Sequence, residues 1–175
     1  LLNLSKKYSN AVLIATVLLI VCSSNLFLYR YWTSYQTKYS QSWQYGYKEA
    51  IEFIESNKKD YSNIFLTKKY GEPHIFYAFY TNLNPQVLQN PNLSTRFVKS
   101  DWRWTDKIEN IYFINDWQID ITSPVSSFIV ESGSRVSATN SLLVTSPDHV
   151  PQNSTILKVI SFLDGEPAFI IVSIP

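Results

Sequence analysis

Hydrophobic and polar positions divide the chain into two parts of different character. From Tyr8 to Tyr29 the run YSNAVLIATVLLIVCSSNLFLY carries no formal charge. As a helix it would reach roughly 33 Å, enough for a hydrocarbon core of about 30 Å. Lys6 and Lys7 bound it on one side and Arg30 on the other, and Tyr29, Tyr31, Trp32 and Tyr35 follow where an aromatic belt at headgroup level belongs. Residues 10–29 are therefore expected to form one transmembrane helix. Residues 1–9 are expected to end a preceding loop, and 30–44 to form a juxtamembrane connector lying against the interface. Residues 45–175 read as one water-soluble domain, large enough to bury a core.

Two other readings of the first segment stay open. A cleaved signal peptide would use the lysine pair, an apolar stretch from Ala11 to Val21 and a small-residue site at Val21-Cys22-Ser23. Lipid attachment at Cys22 is opposed by the size of Val21. Hydrophobicity resumes at Leu26-Phe27-Leu28, which favours a retained span. Lys6 and Lys7 are nearly balanced by Arg30 and Lys38, so flanking charge does not orient it.

The domain opens with an amphipathic pattern over 45–57. Tyr47, Ala50, Ile51 and Ile54 share one face at helical spacing, with Lys48, Glu49, Glu52 and Glu55 toward water and Glu55 able to pair with Lys59. Asn63–Thr67 is an apolar run of the kind buried on both sides of a sheet. Lys68–Gly71 turns the chain, and Pro73 suits the first turn of a helix with Ile75, Phe76, Phe79 and Tyr80 as its buried stripe. Asn84-Pro85 caps a further short helix. A strand is expected at 96–99, and Trp102 and Trp104 would share a face in an extended segment. Residues 110–114 and 142–145 read as buried strands, with 120–140 irregular apart from one element near Phe128. At the end, 155–163 and 166–174 flank Asp164-Gly165 as a hairpin, apolar on both faces and so expected to be buried or covered by helices. Helix, strand, loop, helix is the rhythm of an α/β domain, three-layer-like and ending in a β-hairpin.

Composition narrows the chemistry. A net charge of +1 without basic or acidic blocks gives no reason to expect a nucleic-acid partner. The one cysteine, Cys22, lies in the apolar segment, so the domain has no internal disulfide. Four glycines form no phosphate-loop or dinucleotide pattern. His74 and His149 have no Cys or His at ligand spacing, so neither a metal site nor a cofactor is expected. No nucleophile elbow accompanies the serines, and no catalytic residue is assigned. The chain opens Leu-Leu and contains no methionine, and is expected to be the carboxy-terminal piece of a longer protein. One stretch, Lys68 to His74, lies between a buried strand and a helix, where α/β domains place ligand groups. Lys69, Tyr70 and His74 could reach a phosphate or a sugar hydroxyl there, or simply connect the two elements. Trp102 and Trp104 could form a sugar-stacking platform, pack against the sheet or contact the membrane-embedded part.

The order of a membrane span, WQYGYKEAIEFIES, a short strand, KYGEPHIFYAFY and a terminal DGEPAFIIV resembles the carboxy-terminal part of bacterial multi-span glycosyltransferases related to the protein O-mannosyltransferases and the lipid A aminoarabinose transferases. The resemblance covers most of residues 10–175 and is positional rather than catalytic. It implies a small extracytoplasmic α/β domain behind a catalytic membrane bundle in the cell membrane. It implies a sugar moved from a polyprenyl-phosphate donor, as substrate rather than cofactor, with the catalytic acid upstream of Leu1. The implied partners are the membrane, the upstream bundle of the same chain and the lipid-linked sugar, with Tyr70, Glu72 and His74 as candidate contacts. A single-pass anchored or exported cell-envelope binding module, without catalysis, is the alternative.

Overall fold

The computed structural model describes residues 6–175, apart from the side chains of Lys6 and Lys7. It separates into two units, divided after Tyr39. The first is one helix, α1 (Lys6–Arg30), continued by a π-helical stretch over Tyr31–Tyr35 and by α2 (Gln36–Lys38). Helical structure thus runs on past Arg30 into the expected juxtamembrane connector, as far as Lys38. From Tyr8 to Lys38 it is long and apolar enough to cross a membrane, and its most apolar stretch is nowhere buried in protein. Two of its polar side chains turn back on their own backbone. Thr16 Oγ1 donates to the Val12 carbonyl at 2.9 Å, and Asn25 Nδ2 to that of Val21 at 2.7 Å. Groups satisfied within one helix need no water, which is the condition for entering lipid. Phe27, Tyr31, Tyr35 and Tyr39 form a ladder of ring contacts one turn apart, with centroids 6.0, 5.5 and 4.7 Å from one to the next.

The second unit, Ser40–Pro175, is an α/β domain. α3 (Tyr47–Asn57) leads into β1 (Asn63–Thr67), followed by α4 (Pro73–Tyr80) and α5 (Pro85–Gln89). Then come β2 (Ser94–Lys99), β3 (Trp102–Ile108), β4 (Ile111–Ile114), β5 (Ser127–Ile129), β6 (Arg135–Ser137), β7 (Ser141–Thr145), β8 (Thr155–Ser161) and β9 (Pro167–Ile174). Seven strands form one mixed sheet in the order β2-β3-β4-β1-β7-β9-β8. β1 pairs in parallel with β4 and β7, and the flanking strands are antiparallel.

Alternation along β1 explains the layers, since neighbouring residues point to opposite faces. Ile64 and Leu66 join a core with Tyr47, Ala50, Ile51 and Ile54 of α3 and Tyr77 of α4, while Phe65 joins a second core with Ile119, Val125, Phe128 and Val130. Helices therefore cover one face only. The other is covered by the β5–β6 hairpin and the irregular chain around it.

Local signals behave as their chemistry dictates in several places. The Asn84 side chain accepts from Gln86 N at 3.0 Å, capping α5 ahead of Pro85. α3 starts two residues later than its pattern suggested because Gly46, at φ +103°, turns the chain into it. A Cβ there would lie 3.0 Å from the Phe169 ring. In the terminal turn only Gly165 has positive φ (93°). Gly165 N donates to the Phe162 carbonyl at 3.0 Å, and Phe162 N to that of Glu166 at 2.8 Å, giving a longer turn than a two-residue one.

Three expectations are corrected. On α4, Pro73 and Tyr77 are the buried residues, while Ile75 and Phe79 are 57% and 71% exposed. The Tyr77 hydroxyl donates to Glu55 Oε1 at 2.8 Å, and that bond to α3 sets the rotation of the helix. Glu55 consequently does not simply face water, and its ion pair is with Lys58 at 2.8 Å rather than with Lys59. Lastly, only half of the terminal hairpin is covered. β9 is buried between β7 and β8, but β8 is the sheet edge and exposes Ile156, Leu157 and Val159.

Candidate functional site

The carboxyl ends of the parallel strands β4, β1 and β7 bring Asn115-Asp116, Lys68 and Ser146–His149 to one edge, where open α/β sheets usually take a ligand. Here that edge is occupied by the domain's own side chains. Asp116 is 1% exposed, and its Oδ2 accepts from Ser146 N at 3.0 Å, tying the end of β4 to the end of β7. The Tyr47 hydroxyl reaches up from α3 to donate to the Thr67 carbonyl at 3.1 Å. Ser146 Oγ lies 3.0 Å from His149 Nδ1. That contact invites comparison with a nucleophile and its base, but Ser146 is fully buried and no substrate could reach it.

Beside this edge sits a buried ionic network. The Lys68 side chain is 8% exposed, with Nζ 3.9 Å from Glu131 Oε2 and 5.1 Å from the centre of the Trp104 ring. Asp106, itself buried, accepts from the backbone N–H groups of Glu131 (3.0 Å) and Ser132 (3.1 Å). Asn115 Nδ2 donates to Glu131 Oε2 at 3.0 Å. Burial pulls the Lys68 ammonium below its ordinary pKa, and Asp106 and Glu131 oppose that pull. These groups fasten the turn after β5 to the sheet. Asp106 and Glu131 were not singled out in the sequence because nothing in their spacing links them. They meet only when β3 and β5 fold together.

The residues of the Lys68–His74 stretch part company. Lys69 is exposed and its N–H is bound by Thr67 Oγ1 at 2.9 Å. Tyr70 turns inward, edge-on to Phe162 (5.3 Å) and Phe169 (5.2 Å), and burial raises its hydroxyl pKa. Gly71, at φ +132°, swings the chain back outward. Glu72 and His74 then meet, Oε2 to Nδ1 at 3.3 Å. With Ile75, Trp102 and Arg103 they line a shallow hollow of about 280 Å³. Burial lowers the His74 pKa, partly offset by Glu72, so the imidazole is neutral near pH 7.

Trp102 is 56% exposed and presents its indole to this hollow, whereas Trp104 packs over Lys68 and donates from Nε1 to the Lys99 carbonyl at 3.2 Å. The two indoles therefore serve different neighbours. An exposed indole beside a carboxylate, an imidazole and a guanidinium is suited to a sugar, whose C–H face stacks on the ring while its hydroxyls bond to the polar groups. Arg103 was not among the sequence candidates, and only its neighbours Trp102 and Trp104 carried a signal. Among the described residues no three His, Cys, Asp or Glu side chains gather as metal ligands. No protein-family model, curated protein or solved structure matches this chain.

Proposed function

We propose that the chain is the membrane-anchored carboxy-terminal part of a glycosyltransferase that moves a sugar from a polyprenyl-phosphate donor to an acceptor at the extracytoplasmic face. Residues 40–175 act in it as an accessory domain, and the catalytic acid lies upstream. The reading draws on the sequence resemblance. The observation that carries it is the hollow where Glu72, His74, Trp102 and Arg103 converge, on a domain preceded by an unburied apolar helix. Such a surface can orient an acceptor or the sugar of the donor, and positioning supplies a large part of a transfer rate.

The test is sugar transfer by the full protein in lipid nanodiscs. Trp102→Ala and Glu72→Gln should raise KM for donor or acceptor roughly tenfold, the equivalent of about 1.4 kcal/mol of binding, with kcat less affected. Deleting residues 45–175 should abolish transfer. Unchanged transfer and expression after that deletion would sink the reading. An anchored binding module without catalysis is the second reading, favoured by the same hollow because it presents contacts but no nucleophile. It predicts that purified chain binds envelope glycans and that no further apolar spans are encoded upstream of Leu1.

A further inference from the structure

The misplaced stripe of α4 needs an explanation. Ile75 and Phe79, one turn apart, project outward, and Phe79 meets Tyr80 edge to face at 5.1 Å. Tyr80 and Phe76 line a second hollow, of about 550 Å³, with Trp43 and Tyr45. Trp43 is two-thirds exposed. On its other flank, Ile75 lines the hollow that holds Trp102. Exposed aromatic and aliphatic side chains thus form a patch from Trp43 across α4 to Trp102, bordered in the larger hollow by Lys48, Glu49, Glu52 and Lys158 and separate from the apolar residues that β8 exposes. A contiguous patch of this kind marks something that covers it.

Three observations identify the cover. The patch is dominated by Trp, Tyr and Phe, the residues that settle at the boundary between headgroups and acyl chains. Little chain separates it from the apolar helix, since at most about 18 Å of extended backbone lies between Lys38 and Trp43. The aromatics of the helix end, Tyr31, Tyr35 and Tyr39, lead in sequence directly to Trp43 and Tyr45. Finally, the charges bordering the two hollows balance, with Lys48, Lys158 and Arg103 against Glu49, Glu52 and Glu72, three of each sign. Lys48 pairs with Glu52 at 3.8 Å and Lys158 with Glu49 at 2.8 Å.

We propose that the exposed face of α4, with Trp43 and Tyr45, docks onto the headgroup–acyl boundary of the lipid bilayer. The inference rests on the reading of residues 8–38 as a membrane anchor. Docking is driven by aromatic and aliphatic burial, not by attraction to anionic lipid, since the surface is neutral. The hollow of Glu72, His74 and Trp102 is then held at headgroup depth, where the phosphate and sugar of a polyprenyl-linked donor lie.

The experiment places one environment-sensitive fluorophore at a time on the full chain in phosphatidylcholine vesicles, with lipids brominated high on the acyl chain as shallow quenchers and near its end as deep ones. The positions are native Cys22, and, in a Cys22→Ser background, Phe79→Cys, Ile75→Cys and, as a control on the exposed edge strand, Ile156→Cys. Loss of fluorescence to shallow quenchers at 79 and 75, with none at 156, is expected, and adding phosphatidylglycerol should not change it. Loss at Cys22 to deep quenchers with none at 79 or 75 would overturn docking while leaving the anchor intact. No loss at Cys22 would overturn the anchor and docking together. A blue-shifted probe at 79 that lipid quenchers do not touch would show a protein covering the patch, and would also overturn the proposal. So would quenching that appears only with anionic lipid.

Discussion

α3 and α4 pack on the same face of one sheet, yet they treat their apolar residues in opposite ways. α3 buries every residue of its stripe, and Ile54 and Ala50 are fully enclosed. α4 is the more apolar of the two in sequence and sends much of its apolar surface outward. The difference is set by two phenolic hydroxyls. Tyr47 carries its hydroxyl through the core to the Thr67 carbonyl, and Tyr77 carries its own to Glu55. Each bond fixes the rotation of its helix, and on α4 that rotation leaves Ile75 and Phe79 no core to enter. Apolar character alone therefore does not locate the buried face of a short helix. The polar group that must find a partner does.

The comparison breaks most visibly by truncation. Ile54→Ala should cost about 2–5 kcal/mol, from lost burial and the cavity left behind. Phe79→Ala, removing a larger side chain from the more apolar helix, should change stability by less than about 0.5 kcal/mol. Denaturant unfolding of the full chain in detergent measures both, and comparable losses would refute the assignment of faces.

Removing the hydroxyl that orients α4 tests the cause. Tyr77→Phe should cost about 1.5–3 kcal/mol, the usual range for a hydrogen bond to a charged group, because burial and Glu55 both hold the Tyr77 proton in place. Tyr80→Phe, on the outer face, should be nearly neutral. On α3 the corresponding fixed point is its entry. Gly46→Ala places a side chain at φ +103° and against Phe169, and should cost about 1–3 kcal/mol as backbone strain alone. Thermal unfolding of the three variants should rank Tyr77→Phe and Gly46→Ala well below Tyr80→Phe.

What the sequence reveals follows the same division. β1, β4 and β7 were legible because buried parallel strands are apolar throughout, and α3 because its period and its burial agree. The caps at Pro73 and Asn84 were legible because their chemistry is local. β6 was not, and β5 showed only as one element of unspecified type near Phe128, since both strands are short and the turn between them is held by Asp106, distant in the chain. The site divided likewise. Glu72 and His74 lie two residues apart and stayed together, while Tyr70 was drawn to Phe162 and Phe169, whose approach depends on β9 pairing with β8. The edge position of β8 was hidden too, because strand order is a property of the sheet and not of the strand.

The smallest expected effect concerns the imidazole in the first turn of α4. Burial lowers the folded pKa of His74 below its ordinary 6.5, with Glu72 only partly restoring it. The unfolded chain therefore binds the proton more readily, and stability must fall as pH drops through 6.5, levelling off below the folded pKa. One proton limits the slope to about 1.4 kcal/mol per pH unit. Glu131 acts later: burial raises its pKa, but the hydrogen bonds from Lys99 and Asn115 and the charge of Lys68 outweigh this and lower it. Its stabilisation is present above 4.5 and lost below. Between pH 7 and about 5 the acid-induced loss should thus belong largely to His74, and His74→Gln should flatten it while leaving the Glu131 loss at lower pH in place. Unfolding midpoints across that range decide the matter, and a His74→Gln variant as acid-sensitive as the parent would mean the imidazole is no more buried when folded than when unfolded.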